Sequence, residues 1–321
     1  MKGISKMKNK QHGLYLLLIS VHGLIRGHEF ELGRDADTGG QIKYVVELAR
    51  ALGEHPAVAK VDLVTRRIDE KSLSSDYSQA IETLGEKVSI IRIDCADQLY
   101  LPKEQLWDHL DIFADNLLKY IHNNDRIPSI IHSHYADAGY VATRLCHQLS
   151  IPLVHTGHSL GRSKRKHLLA SGVKRDEIEA RYNMSRRINA EEVTLGVAER
   201  VITSTRQEIE EQYGLYDYYQ PDQMRVVPPG TDLTTFFPAQ GDEQNSAIAA
   251  QINRFFRHPN KPMVLALSRP DQRKNIVTLI EAYGESETLQ KVANLVIIAG
   301  NRDDIRDLDE GAREVWTEIL L

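Results

Sequence analysis

Short runs of consecutive apolar residues recur along this chain, and stretches with helical spacing separate them. The runs are LYLLLIS (14–20), VDLVTRR (61–67), VSIIRID (88–94), SIIHSHY (129–135), PLVHTGH (152–158), ERVITST (199–205) and MRVVPPG (224–230). They are rich in β-branched residues and do not alternate with polar ones. A strand reads this way when both of its faces are covered, which is the rule in parallel sheets. The segment TGGQIKYVVELARAL carries Ile42, Val45, Val46 and Ala49 at helical spacing, with Thr38 expected as its N-cap. Further helices are expected around 104–122, 138–149, 176–197 and 206–213. The alternation predicts an open, doubly wound α/β sheet.

After Pro228-Pro229-Gly230 the pattern changes. The expected division is a Rossmann-like domain over 1–235, a connector over 236–261, and a second βα series over 262–321. That series has strands at PMVLALSR (262–269) and ANLVIIAG (293–300), with a helix across 275–284 between them. Two strands and their helices fall short of a complete Rossmann-like sheet, so the second domain is expected to be incomplete within these residues.

Composition narrows the class. The net charge of −5 gives no overall basic field for nucleic acid or an anionic membrane, so any anion site must be a local cluster of cations. The two cysteines, Cys95 and Cys146, stand apart, which excludes a disulfide framework and fits a reducing compartment. The run Leu14–Ser20 is too short for a membrane span, and its flanks lack a signal-peptidase site. The expected location is the cytoplasm.

Several clusters carry chemistry. Gly39 and Gly40 stand directly before a helix, where backbone N–H groups and the helix dipole favour an anion and missing Cβ atoms permit close approach. A plain strand-to-helix turn is an equal reading of the pair. No G-x-G-x-x-G is present, so a nicotinamide dehydrogenase lacks its fingerprint. Five cations, counting His167, fill the six positions Arg162 to His167. Alone they read as a solvated basic loop, yet Gly157-His158-Ser159 precedes them at a strand's carboxyl end, where open α/β sheets bind ligands. His132 and His134 fall on one side of a strand with no third metal ligand in evidence, and core packing accounts for them. Asp35-Ala36-Asp37 has D-x-D spacing, but its place in the glycine loop favours loop structure over a metal site.

HGLIRGHEFELGRDADTGGQ (22–41), YLPKEQLW (100–107), IIHSHYADAG (130–139), TGHSLGRSKRKHLL (156–169), SRRINAEE (185–192), ITSTRQEIEEQYGLYD (202–217), VVPPG (226–230) and LSRPDQRKN (267–275) together resemble the sucrose-phosphate synthases. The motifs follow the family's order from about residue 14 to 300. The resemblance implies a GT-B architecture, with two facing Rossmann-like domains, and transfer of glucose from UDP-glucose to fructose 6-phosphate with retention. It implies that Gly39, Gly40 and Gln41 line the acceptor site and that His158 lies beside the transferred sugar. Lys164 and Arg187 would grip the acceptor phosphate, with Arg186 left to the helix surface. Arg269 and Lys274 would meet the donor diphosphate, so that no metal or cofactor is needed. A further phosphate-binding lysine is expected where this chain has Leu99, and losing one such charge-assisted bond typically costs about 1.5–3 kcal/mol. The family's donor-sugar glutamate segment lies beyond these 321 residues, so the chain alone is expected to be catalytically incompetent. The alternatives are a sucrose synthase acting on free fructose, and a non-catalytic remnant that binds sugar phosphate.

Overall fold

A computed structural model of the chain describes residues 13–124, 126–299, 306, 308 and 310–320. The lysine-rich start lies outside them. The chain forms two compact units, Met1–Pro229 and Gly230–Leu321.

The first unit is built on eight strands: β1 (Leu14–Ile19), β2 (Val58–Arg66), β3 (Ile81–Gly85), β4 (Val88–Ile93), β5 (Ile130–His134), β6 (Leu153–Thr156), β7 (Arg200–Thr203) and β8 (Met224–Val226). Their order in the sheet is β3-β4-β2-β1-β5-β6-β7-β8, parallel throughout except for β3 against β4. Alternate residues of β1 explain its unbroken apolar run. Leu16 and Leu18 pack with Ile42, Val45, Val46 and Ala49 of helix α1 (Gly40–Glu54). Leu17 and Ile19 belong to the core on the opposite face, with Phe113 and Leu117 of α2 (Leu110–Asn123) and Val141 and Leu145 of α3 (Tyr135–Leu149). Helices α4 (Gly161–Ala170), α5 (Arg175–Tyr182), α6 (Met184–Val197) and α7 (Arg206–Glu211) complete the unit.

Every strand expected in this unit is present, and one more. β3 escapes the sequence reading because IETLG is half polar and lies on the sheet edge, with exposed and partly buried residues alternating. The expected helix over 104–122 begins as a 3-10 turn, Lys103–Asp108, before α2. The expected helix over 176–197 is two helices, broken at Asn183 in the left-handed region (φ 46°). The basic stretch after Leu160 is a helix, α4, rather than a loop. Thr38 does not cap α1. The N-cap is Gly39, and the Thr38 hydroxyl instead accepts from the Asp35 N–H at 2.9 Å.

The second unit contains α8 (Ala247–Asn253), β9 (Met263–Ser268), α9 (Ile276–Glu285), α10 (Glu287–Val292), β10 (Asn294–Ala299) and α11 (Glu310–Leu320). β9 and β10 pair in parallel. One side of β9 stays open, with Leu265 and Leu267 exposed at 52% and 70%.

Candidate active site

In the first unit the chain runs outward from β1 through β2 to β4, then returns to place β5 on the other side of β1. The switch point between β1 and β5 is where open α/β sheets leave a crevice at the strand carboxyl ends. The segments that follow β1, β5 and β6 meet there.

β1 runs on into Ser20 and His22, both buried. Ser20 Oγ accepts from Gln41 Nε2 at 3.2 Å, which ties the first turn of α1 to the sheet. Gly39 and Gly40 lie at that helix start, and a Cβ on either would point into open space. Neither has a positive φ, so nothing inside the protein demands glycine at these two positions. Gly23 differs. It holds φ 87°, and a Cβ there would lie 2.6 Å from the Asp37 carbonyl oxygen. Asp37 accepts from the Lys103 amide at 2.8 Å and pairs with the Lys103 ammonium. Burial opposes ionisation of Asp37, but His22 and Lys103 hold its carboxyl below the usual range. Asp35 accepts from the Asp37 N–H, so this D-x-D triplet braces its own loop.

His158 follows β6 with φ 57°. Its Nε2 lies 3.1 Å from Nδ1 of the fully buried His134, and its ring stands edge-on to Tyr44 of α1, centroids 5.1 Å apart. Burial, helped by neighbouring His132 and His155, lowers the His158 pKa to about 3. It is therefore a neutral imidazole at physiological pH, able to donate or accept a hydrogen bond but not to supply a positive charge. Tyr135, at the start of α3, also takes a left-handed backbone (φ 79°). A bulky residue there is strained, and such strain gathers at functional sites. Its ring stands edge-on to His22 on one side and lies beneath the Arg187 guanidinium, 4.6 Å away, on the other. His22 Nδ1 bonds Asp137 at 2.7 Å. Burial works against an imidazolium there, but Asp137 overcomes it and raises the His22 pKa.

Arg187 is 4% exposed. Its Nε donates to Glu191 at 2.9 Å, and its Nη2 donates to the Ser159 carbonyl at 2.7 Å and to Ser159 Oγ at 3.3 Å. The structure thus brings Arg187, through Ser159, beside His158, and Tyr44 connects His158 to the glycine-bearing start of α1. Lys164 lies on α4 with its Nζ 3.7 Å from the centre of the Tyr182 ring. Arg186 reaches away to Asp108 and the Trp107 carbonyl, as an exposed surface pair. His132 is half-buried and bonds Thr156 Oγ1 at 2.9 Å. Leu99 is exposed, and its carbonyl accepts from the buried Arg66 at 2.8 Å. In the second unit Arg269 follows β9 directly, and Lys274 ends a 3-10 turn before α9.

Tyr44, His22, His134, Tyr135 and Glu191 all belong to this site, and sequence reasoning had given none of them a part in it. Only Glu191 left a signal, its i,i+4 spacing from Arg187.

A sheet wound in this way, with a crevice at its switch point, fits the first domain of a GT-B glycosyltransferase. Residues 11–228 match the family described as the sucrose synthase first GT-B domain. The chain is 43% identical over 369 residues to a probable sucrose-phosphate synthase 2 of Arabidopsis thaliana, covering 98% of this chain and 35% of the relative. A sucrose-phosphate synthase of Zea mays is 42% identical, with 97% of this chain and 35% of the relative covered. The solved structure of a sucrose-phosphate synthase from Thermosynechococcus elongatus superposes with a TM-score of 0.70 at 27% identity, covering 96% of this chain and 67% of that one. The chain belongs to this family of GT-B glycosyltransferases, and its homologues include the sucrose-phosphate synthases. It spans about a third of the length of these curated relatives. Among the described residues, no helix is long and apolar enough to cross a membrane.

Proposed function

We propose that this chain provides the acceptor side of an enzyme that transfers glucose from UDP-glucose to fructose 6-phosphate, giving sucrose 6-phosphate and UDP with retention. The observation that carries the reading is the buried Arg187 guanidinium, which meets Ser159 beside His158 at the carboxyl end of β6. An uncharged acceptor has no use for a cation held there, whereas a planar guanidinium suits phosphate oxygens. Lys164 on the neighbouring α4 is assigned to the same phosphate. The open space over Gly39 and Gly40 supports close approach of a sugar ring, with Gln41 beside it.

In this reading no side chain attacks the sugar. The acceptor hydroxyl approaches the face from which the diphosphate departs, and the departing phosphate takes its proton. The protein contributes orientation and fixed charge. His158, being neutral, serves as a hydrogen-bonding group beside the transferred sugar. Arg269 and Lys274 are assigned to the departing diphosphate, and the reading invokes no metal or cofactor.

Thermal unfolding of the purified chain tests the acceptor assignment. Fructose 6-phosphate at 100 times its Kd should stabilise the chain by about 2.7 kcal/mol, while fructose should do far less. Lys164→Ala and Arg187→Ala should remove the difference. Equal protection by fructose, unchanged in both variants, would sink the phosphate assignment and favour a free-fructose acceptor.

A further inference from the structure

Helix α4 starts without local help. Its N-cap is Leu160, no acidic residue lies in its first turn, and Arg162, Lys164, Arg165 and Lys166 follow at once. Cations at the positive end of a helix dipole are unfavourable, and amides left unpaired at a buried helix start are costly. The compensation comes from α6. Both carboxylate oxygens of Glu191, which is 1% exposed, lie 3.0 Å from the Gly161 N–H. The Tyr216 hydroxyl accepts from the Arg162 N–H at 3.0 Å and donates to Glu191 in turn. Position 161 is fitted to this arrangement, because a Cβ there would lie 2.8 Å from Glu191 Oε2.

The same carboxylate accepts from Arg187 Nε at 2.9 Å. One buried group therefore holds three things in register. These are the start of the helix that carries Lys164, the Arg187 guanidinium, and, through that guanidinium, Ser159 next to His158. Arg187 commits Nε and Nη2 to the protein, and among the described residues its Nη1 makes no hydrogen bond. The first amides of α4 are already taken, so an incoming phosphate must rely on side chains rather than on that helix start.

We propose that Glu191 is a positioning residue for the acceptor phosphate, fixing Arg187 and the first turn of α4 so that Arg187 Nη1 and Lys164 meet one phosphate group. The proposal rests on the fructose 6-phosphate reading above. It opposes a simpler electrostatic view, in which Glu191 only cancels the Arg187 charge and its removal would strengthen anion binding.

Calorimetric titration of the full chain with fructose 6-phosphate, inorganic phosphate and fructose separates these views. Glu191→Gln keeps the shape but loses the charge and one acceptor. It should weaken fructose 6-phosphate by roughly tenfold or more, the scale of a lost charge-assisted hydrogen bond. Inorganic phosphate should weaken in parallel, with fructose unchanged. Tyr216→Phe, which removes only the bridging hydroxyl, should show the same selectivity at about threefold. Far-UV circular dichroism identifies variants that fold, and if Glu191→Gln does not, Tyr216→Phe decides alone. Unchanged or tighter fructose 6-phosphate binding overturns the proposal, as does an equal loss for fructose, which marks a general structural lesion. If Arg187→Ala weakens fructose 6-phosphate while Glu191→Gln does not, the acceptor reading stands and only the positioning role falls. A wild-type chain that binds fructose but not its phosphate sinks both.

Discussion

In β1, LYLLLI, five of six residues are buried, whereas in β9, MVLALS, none is. The two strands have much the same composition, and both pair in parallel. They differ in their neighbours. β1 has a strand on each side and apolar residues of helices against both faces, while among the described residues β9 pairs only with β10. An apolar run therefore records the environment a strand needs, and burial is supplied by elements that arrive from elsewhere in the chain. The first unit meets that need at its centre. The second, within the described residues, meets it on one side, where Val296, Ala312 and Val315 are buried.

The largest expected contrast between the units is with pH. His132, His155 and His158 have folded-state pKa values lowered to about 4, 3 and 3, in each case first by burial. The unfolded chain takes up these protons near pH 6.5, while the folded unit resists them until about pH 4 or below. Stability must therefore fall as pH drops from 6.5 towards 4, by about 1.4 kcal/mol per pH unit for each histidine. His22, whose pKa is raised, works in the opposite sense. Its contribution is full below the unfolded value and is lost as pH rises through the folded one. Each unit carries one of the two tryptophans, Trp107 and Trp316. Urea unfolding at pH 7 and 5, read in Trp316→Phe and Trp107→Phe versions, should show the acid loss at Trp107 and little at Trp316. Equal losses at both would break the contrast.

Core truncation comes next. Leu18→Ala should cost about 2–5 kcal/mol in the same urea assay, whereas Leu267→Ala should stay within about 0.5 kcal/mol. A comparable cost at Leu267 would mean that the open side of β9 is covered in solution. The smallest effect should be the same in both units. Thr205 caps α7 by accepting from the Glu208 N–H, and Ser246 caps α8 by accepting from the Ala249 N–H. Replacing either with alanine should cost about 1 kcal/mol, since a cap needs only its own turn. Unequal costs would show that even this local contribution depends on the surrounding unit.

The same division separates what could be read in the sequence from what could not. Buried parallel strands were legible because β1, β2 and β4 repeat apolar residues without alternation, and α1 because Ile42, Val45, Val46 and Ala49 keep helical spacing. β3 was not, because an edge strand needs no buried face. Helix α4 offered no apolar stripe, and its cap comes from Glu191 and Tyr216, 30 and 54 residues along the chain from the amides they hold. The break at Asn183 turns on one left-handed residue. In the site, His158 and Arg187 stood in distinctive motifs. Tyr44 sat inside an ordinary amphipathic helix, and Tyr135 beside a strand end. Their part follows from the sheet order, which brings α1, β5 and β6 to one crevice.

Gly161 has an ordinary backbone, and its immediate neighbours give no reason for glycine. The reason stands on another helix, where the Glu191 carboxylate occupies the place a methyl group would fill. Positions 161 and 191 are thus coupled in space, with Ile188 as a third partner. Loss of the glutamate alone would not admit alanine at 161, because a Cβ there would also lie 2.9 Å from Ile188 Cγ1. A lineage that first gained the alanine would have to shorten the acid or give up its hold on the helix. Joint substitution at 161, 188 and 191 among relatives is the trace such a dependence should leave.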